Sequence, residues 1–293
     1  MSLSMLAQQH LRSVHLDTKR QRFVARSHRQ VCTKTLAGRL ESGDTVLVAG
    51  ATGGVGQLVT ASLLEKGFKV KALCRDSQKA KQLFGSGPEI VTGDCRDVAS
   101  IKPALAGINA IACCLGTTAF PSARWKGKNG PEQTDWVATS TLIRNTPKSV
   151  KRFGLISSIG VERYGSLPFN ILNLGGVLKF KRQSEELLQQ SSLPFTILRP
   201  GRLTDGPYTS YDLNTLLKAT SGSRKDIQLS PRDDQQGEAS RIAVAEALVQ
   251  AMMASSMESQ VFSLCSTEGS GPGQDASKWQ ALFDRCCRRQ QTK

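Results

Sequence analysis

The chain has 293 residues, of which 39% are hydrophobic and 22% charged, and its formal net charge is +15. This length is enough for one large α/β domain or two small ones. No stretch reaches the ~18–20 consecutive apolar residues of a membrane-spanning helix. The longest candidate, residues 171–177, is short and contains Asn173 and two glycines. The sequence therefore predicts a soluble protein with a substantial core, and peripheral association with a membrane stays open.

The first 40 residues hold almost half of the positive charge. Eight Lys and Arg residues stand against Asp17, which gives +7 for this segment. The segment is also rich in Ser and Thr, a composition typical of a disordered organelle transit peptide, plastid or mitochondrial. The alternative is a basic arm that binds anionic surfaces. Because the charge is concentrated here and in a basic tail at residues 287–293, we expect no nucleic-acid binding.

Histidine and cysteine usage excludes several kinds of site. The chain has eight cysteines and no C-x-x-C motif, which is typical of free thiols in a reducing compartment. All three histidines, His10, His15 and His28, lie in the basic amino-terminal segment. A mature domain without histidine cannot use a Ser-His-Asp or Cys-His mechanism or a histidine-ligated zinc ion. We predict no metal site.

The first predicted elements, in residues 45–75, have the pattern strand, turn, helix, strand, with the length of a parallel βαβ unit. An apolar run at residues 46–49 leads into the turn GATGGVG, and a second strand covers residues 68–74. The glycines permit a tight turn, close approach of a pyrophosphate, and close packing of helix on strand. Free N–H groups at the start of the helix would face the phosphates. The alternative is a flexible structural turn. The cofactor-binding residues predicted here are Gly50, Thr52, Gly53, Gly54, Val55 and Gly56.

The end of the second strand bears on the choice of dinucleotide. An acidic residue there selects the free 2′-hydroxyl of NAD(H), whereas an arginine accommodates the 2′-phosphate of NADP(H). Arg75 favours NADP(H), and Asp76 beside it keeps NAD(H) open. The alternative for Arg75 is a solvated charge at the end of a strand.

The next elements continue the alternation of strands and helices. Apolar patterning predicts helices at residues 77–84 and 100–106 and strands at residues 89–94 and 110–115. Ligands of open parallel sheets bind at the carboxyl ends of the strands. The further cofactor-binding residues predicted at these strand ends are Asp94, Cys95, Cys114, Leu115 and Gly116.

The rest of the chain completes the sheet and adds a second portion. A polar insertion at residues 121–130 is predicted as a surface loop, and the apolar segment 168–178 as the lining of a pocket. Other elements up to residue 200 are helices at 132–146 and 179–190 and strands at 153–157 and 194–198. Residues 201–286 form a portion on the substrate side, with predicted helices at 213–220, 240–253 and 276–286 and strands at 227–229 and 261–264.

Five motifs occur in order along the chain: Gly50 to Gly56, Cys74-Arg75-Asp76, Gly93-Asp94, Ser157-Ser158-Ile159-Gly160 and Leu198-Arg199-Pro200-Gly201. Together they resemble the atypical short-chain dehydrogenases, and more narrowly the NmrA-like NAD(P)-binding Rossmann proteins of plant and algal plastids. The resemblance covers residues 45–283 and implies a doubly wound parallel sheet with NADP(H) across its carboxyl edge. It makes residues 45–200 the dinucleotide-binding domain and supports a plastid location, in the stroma or at the thylakoid surface, over a mitochondrion. Ser157, Lys181, Arg199, Pro200 and Gly201 join the predicted cofactor-binding residues.

The same resemblance exposes a departure at the catalytic position. Active short-chain dehydrogenases use a serine together with a tyrosine four residues before a lysine. Ser157 or Ser158 fits the serine and Lys181 the lysine, but Val177 stands where the tyrosine would be. Tyr164 is a candidate proton donor from the loop after Ser158, and a surface role is its alternative. The other tyrosines, Tyr208 and Tyr211, approach from the substrate side.

Two functions remain open on this sequence. The first is an NADPH-dependent oxidoreductase that acts on a small or isoprenoid-like substrate. The second is a non-catalytic NADPH-sensing scaffold or assembly factor. In that role occupancy by the dinucleotide changes the surface of residues 202–230 and so the binding of a protein partner.

Overall fold

The computed structural model describes residues 38–204 and 226–291. The predicted helix 213–220, Tyr208, Tyr211 and nearly all of the predicted transit peptide lie outside the described residues. The described strands are β1 Thr45–Ala49, β2 Lys69–Cys74, β3 Glu89–Thr92, β4 Ala110–Cys113, β5 Arg152–Ile156, β6 Phe195–Pro200, β7 Arg202–Thr204, β8 Asp226–Ser230, β9 Glu238–Ser240 and β10 Gln260–Thr267.

The described α-helices alternate with these strands through most of the chain. They are α1 Gly54–Glu65, α2 Ser77–Phe84, α3 Val98–Leu105, α4 Thr139–Asn145, α5 Phe169–Leu172, α6 Val177–Gln190, α7 Arg241–Met253 and α8 Ala276–Gln291. A π-helical segment, Glu132–Ala138, runs directly into α4. None of the helices in the described ranges is long and apolar enough to cross a membrane.

Eight strands form one sheet in the order β3-β2-β1-β4-β5-β6-β10-β8. All neighbours in this sheet are parallel except β10 and β8, which are antiparallel. The strand order reverses between β1 and β4, where Ala49 pairs with Leu73 on one side and with Cys113 on the other. This reversal is the topological switch point of a doubly wound sheet, the place where such sheets bind ligands. The predicted α/β class with a doubly wound parallel sheet is confirmed.

Helices cover both faces of the sheet, so its central strands are apolar on both sides. Successive side chains of β1 point to opposite faces, and they enter different clusters. Val46 and Val48 pack with α1 and α7, whereas Leu47 and Ala49 pack with α3, α4 and α6. Residues 46–49 of the first strand are therefore buried, and the strand holds the turn that follows it in one position.

The structure corrects several predicted boundaries. The fourth strand ends at Cys113 and not at residue 115, because the chain leaves the ladder after one further bond from the Cys114 N–H to the Ala49 carbonyl. The short parallel pair β7–β9 was not predicted, since three residues are too few to show an alternating pattern. The last helix continues to Gln291, past the predicted start of the basic tail.

Candidate dinucleotide-binding site

The turn after β1 requires glycine at two positions for steric reasons. Gly50 has a φ of +78°, and a Cβ on it would lie 3.0 Å from the carbonyl oxygen of Cys114. A Cβ on Gly56 would lie 2.1 Å from the carbonyl oxygen of Gly50, closer than any real contact. The first turn of α1 therefore lies directly against the end of β1, as the third glycine of a dinucleotide motif allows.

The start of α1 presents backbone donors to the space above the sheet. Gly53 occupies the N-cap with no side chain to bond the helix, and the first turn holds no acidic residue. The first helical bond runs from the Gln57 N–H to the Gly53 carbonyl at 2.9 Å. Within the described residues, the N–H groups of Gly54, Val55 and Gly56 have no hydrogen-bond partner. Together with the helix dipole, they form a site suited to a phosphate group.

A cleft of about 640 Å³ opens at this edge of the sheet. It follows the carboxyl ends of β1 to β4, and ten of the predicted cofactor-binding residues, Arg75 among them, line it. The same cleft contains residues that were not predicted, among them Lys79, Arg96, Thr117 and Asn129. The predicted residues in the lining are Gly50, Thr52, Gly53, Gly54, Arg75, Asp94, Cys95, Cys114, Leu115 and Gly116.

The end of the cleft next to β2 and β3 is basic. Asp94 is bound bidentately by Arg96, and this hydrogen bonding lowers the pKa of the Asp94 carboxyl. Asp76 is not in the described lining of the cleft, and its carboxylate accepts the Lys79 N–H at 3.0 Å and so caps α2. Arg75 and Lys79 are exposed and line the cleft, which leaves cations at the position where a 2′-phosphate would lie.

Two buried thiols lie at this edge of the sheet: Cys95 lines the cleft, and Cys113 is the last residue of β4. Burial raises the pKa of Cys113 to about 11 and raises the pKa of Cys95 further. These thiols are therefore un-ionised at neutral pH and act as small hydrophobic side chains.

A buried ion pair lies at the end of the cleft next to β4. The Nζ of Lys181 is 2.9 Å from the Oδ1 of Asp135, whose side chain is completely buried. Burial raises the pKa of Asp135, and the charge of Lys181 opposes this shift. A Cβ placed on Gly116 would lie 3.2 Å from the lysine Nζ and 3.5 Å from the Asp135 Oδ1. The ion pair is therefore next to the backbone of Gly116, which lines the cleft. Asp135 was missed in the sequence because nothing in the predicted helix 132–146 indicated which of its side chains would meet Lys181 on α6.

Ser157, predicted to be both catalytic and cofactor-binding, lies just past the end of β5, the neighbour of β4 in the sheet. Its Oγ is buried and has no hydrogen-bond partner in the described part of the chain, and the same holds for the Oγ1 of Thr117. An unpaired buried hydroxyl is costly in a folded protein, so it indicates a position where a ligand group can bond. The hydroxyl of Ser158 instead donates to the carbonyl of Ile159 at 3.0 Å.

The tyrosine proposed as a proton donor lies elsewhere. Tyr164 is 37% exposed and lines a separate polar cleft of about 500 Å³, together with Glu162, Lys179 and Arg182. It is not among the described residues of the dinucleotide cleft. Val177, at the position of the family's tyrosine, is buried in a small apolar cluster. The structure therefore does not bring Tyr164 and the predicted cofactor-binding residues together.

The three residues predicted to follow the sixth strand, Arg199, Pro200 and Gly201, also lie outside the described lining of the cleft, and two of them belong to β6 itself. Arg199 is buried, and its guanidinium donates to Glu185 at 2.9 and 2.6 Å and to Glu162 at 2.8 Å. Burial opposes the charge, but the bonds to these carboxylates raise the pKa of Arg199. Pro200 belongs to β6, and a Cβ on Gly201 would lie 2.6 Å from the Gly237 carbonyl oxygen. Their contacts are those of packing and ion pairing within the fold.

A residue from the carboxyl-terminal portion holds the loop that follows Ser158. The buried carboxylate of Asp233 accepts the N–H of Gly160 at 2.6 Å and that of Glu162 at 2.8 Å. No pattern in the sequence indicated this contact, because the partners are more than 70 residues apart.

Comparison with known proteins decides the family. The model of the NAD(P)H-binding family matches residues 50–255. The chain belongs to this family. Its Rossmann fold and its relatives place it among the NmrA-like, atypical short-chain dehydrogenases, as the sequence motifs predicted.

Several of its relatives are plant and algal proteins. Sanguinarine reductase from Eschscholzia californica is 31% identical over 278 residues, which cover 82% of this chain and 95% of that protein. Protein TIC 62, chloroplastic, from Arabidopsis thaliana is 37% identical over 64% of this chain, and the match spans about a third (32%) of its length. The photosystem II assembly factor Ycf39 of Trieres chinensis is 31% identical over 59% of this chain and 50% of that protein.

Solved structures share the fold. The oxidoreductase ylbE from Lactococcus lactis has a TM-score of 0.64 at 19% identity and covers 83% of this chain and 97% of its own. A wide-type short-chain dehydrogenase/reductase from Veillonella parvula, in complex with NADP, has a TM-score of 0.54 at 16% identity. The match covers 78% of this chain and 96% of that one. At these identities the likeness concerns the fold alone.

Proposed function

We propose that this protein is an NADPH-dependent oxidoreductase of a small or isoprenoid-like substrate. The observation that carries the proposal is the cleft at the switch point, with bare N–H groups at one end of α1 and exposed Arg75 and Lys79 beside β2. Asp76 caps α2 and is not in the described lining of the cleft, which supports a cation and not a carboxylate as the ligand group at this strand end. The pairing of arginine with a 2′-phosphate supports NADPH over NADH.

Residues in and beside the cleft fit the parts of such a dinucleotide. Gly50, Gly53 and Gly56 leave backbone within reach of a diphosphate, and a side chain on Gly56 would fill that space. Lys181, held by Asp135, supplies a fixed ammonium group for the nicotinamide ribose, and Ser157 a buried hydroxyl for a substrate oxygen. When bound, NADPH supplies a hydride.

A specific observation favours a second candidate function. Active family members pair a tyrosine with the lysine of α6, whereas Val177 occupies this position here and is buried. A protein that binds NADPH without this proton donor fits the role of a non-catalytic sensor or assembly factor. One relative, Ycf39, is named as a photosystem II assembly factor. In this role the dinucleotide would alter the binding of a protein partner.

We also propose a plastid location with an amino-terminal transit peptide. The support is the basic, acid-poor composition of residues 1–40 and a relative described as chloroplastic. Fusion of residues 1–40 to a fluorescent protein should direct it to plastids, and import into mitochondria would overturn the proposal.

Turnover distinguishes the two functions. Purified protein is mixed with NADPH and a panel of small carbonyl, quinone and isoprenoid compounds, and the loss of nicotinamide absorbance is followed. An oxidoreductase oxidises NADPH with at least one class, and Ser157→Ala lowers kcat while dinucleotide affinity is retained. Binding of NADPH without turnover of any compound, together with partner capture that depends on NADPH, would favour the sensor.

A further inference from the structure

The polar loop at residues 121–130 is not simply a surface loop, because its second half lies against the basic end of the cleft. Gly127 and Lys128 have φ values of +67° and +60°. Two successive left-handed residues reverse the chain sharply, and a non-glycine residue in this region is uncommon. The reversal directs the Lys128 carbonyl to Arg96, whose Nη1 donates to it at 2.9 Å. It brings the next residue, Asn129, to Arg75.

The side chain of Asn129 is held at both ends of its carboxamide. Its Nδ2 donates to the carbonyl of Lys126, and its Oδ1 accepts from the Nη1 of Arg75, each at 2.5 Å. Its backbone is fixed as well, because the Thr134 hydroxyl donates to the Asn129 carbonyl at 3.0 Å. The amide orientation follows from these partners, so the oxygen faces the arginine.

Arg75 depends on this contact for its position. Its side chain is exposed, and within the described ranges Asn129 is the one group that hydrogen-bonds its guanidinium. An exposed arginine samples many rotamers, and a ligand that binds it must order it. Asn129 orders Arg75 before the ligand binds and occupies one of the five N–H donors of its guanidinium. The other donors are left for phosphate oxygens.

We propose that Asn129 is a specificity-determining residue that positions Arg75 for the 2′-phosphate of the dinucleotide. This inference rests on the NADPH preference proposed above. Selectivity between NADPH and NADH would then come from a residue 54 positions away from the strand end that usually reads the ribose. A neutral amide is suited to this task, since it holds the guanidinium without cancelling its charge.

The test measures the affinities for NADPH and NADH of the full chain by titration calorimetry. Asn129→Ala should weaken NADPH by about threefold to tenfold and leave NADH within about twofold, because only the ordering of Arg75 is lost. Asn129→Asp should weaken NADPH more than the alanine variant does, because its carboxylate competes with the phosphate for the arginine. Asn145→Ala is the matched control, since Asn145 is exposed on α4 and, among the described residues, its side chain bonds only its own helix, at Thr141.

A double-variant cycle separates this inference from the proposed cofactor preference. Arg75→Ala should reduce NADPH affinity more than NADH affinity, and adding Asn129→Ala to it should cause no further loss. Equal losses of both dinucleotides in Asn129→Ala, or no loss, would overturn the positioning role while Arg75→Ala still changes selectivity. If Arg75→Ala leaves selectivity unchanged, the NADPH preference itself is wrong. Thermal unfolding of each variant checks that it is folded before the titration. If Asn129→Ala does not fold, Asn129→Asp takes its place in the titration.

Discussion

Replacing Gly53 with aspartate tests the phosphate assignment without a large structural change. Gly53 has φ −81° and ψ 163°, extended values that any residue adopts, and it is the N-cap of α1. A Cβ there would lie 3.1 Å from the Gly50 carbonyl oxygen, a contact relieved by a few tenths of an ångström. Because aspartate is a favoured N-cap residue, Gly53→Asp should be as stable as the wild type or slightly more stable.

The same carboxylate should oppose the dinucleotide in two ways. It would accept the N–H groups of the first turn of α1, and it would repel the diphosphate. Two like charges 4 Å apart repel by about 1 kcal/mol in water and by about 4 kcal/mol at an effective dielectric constant of 20. For one phosphate charge, affinity should therefore fall by about fivefold to about a thousandfold.

The assay is an NADPH titration at low and at high ionic strength, with Gly53→Asn as the matched control. Asparagine has the same size and caps the helix equally well but carries no charge. The affinity difference between the Asp and Asn variants should shrink at high salt, because salt screens charge repulsion. If the two variants bind NADPH equally well, or if Gly53→Asp keeps wild-type affinity, the diphosphate does not lie at the start of α1.

Three further predictions concern the packing of Gly56, the buried ion pair of Glu185 and Arg199, and the effect of pH on Asp135. Gly56→Ala places a Cβ 2.1 Å from a backbone carbonyl oxygen, so the free energy of unfolding in urea should fall by about 1–3 kcal/mol; an unchanged value would refute the steric reasoning. Glu185→Ala leaves the buried Arg199 without its main partner and should cost about 3 kcal/mol. The control Glu238→Ala, at an exposed pair, should cost less than about 1 kcal/mol, and equal costs would contradict the difference in burial. Burial raises the pKa of Asp135, so the folded state keeps the proton of this carboxyl to a higher pH than the unfolded state does. The contribution of the protonated Asp135 to the free energy of unfolding therefore declines as pH rises from the ordinary carboxyl range through the raised pKa. The unfolding free energy of the wild type minus that of Asp135→Asn should fall across this window, and a rising difference would show that the pKa is not raised.

The sheet and its first turn were predictable because their signals are local. Short apolar runs, each followed by glycine or a polar residue, indicate strands buried on both faces. Helix α2 has the bounds that were predicted, Ser77–Phe84, and a glycine follows its last residue directly. The predicted tasks of Gly50 and Gly56 depend on backbone geometry that the strand–turn–helix pattern imposes.

The parts that were not predictable depend on contacts between residues far apart in sequence. Arg199 was predicted to follow a strand end, where ligands bind, but it lies within β6, and Glu185 on α6 holds it in the interior. Asp76 adjoins Arg75 and resembles a ribose-binding acid until the helix it caps is seen. The role of the polar loop follows from one contact between Asn129 and Arg75, which no local pattern encodes.

The central claim is that the first βαβ unit binds a pyridine dinucleotide through bare backbone N–H groups. Calorimetric titration of the purified, folded protein with NADPH tests it most directly. The expected result is saturable binding of one NADPH per chain, which Gly53→Asp strongly weakens. A folded protein that binds neither NADPH nor NADH at millimolar concentration would contradict the claim, and with it both proposed functions.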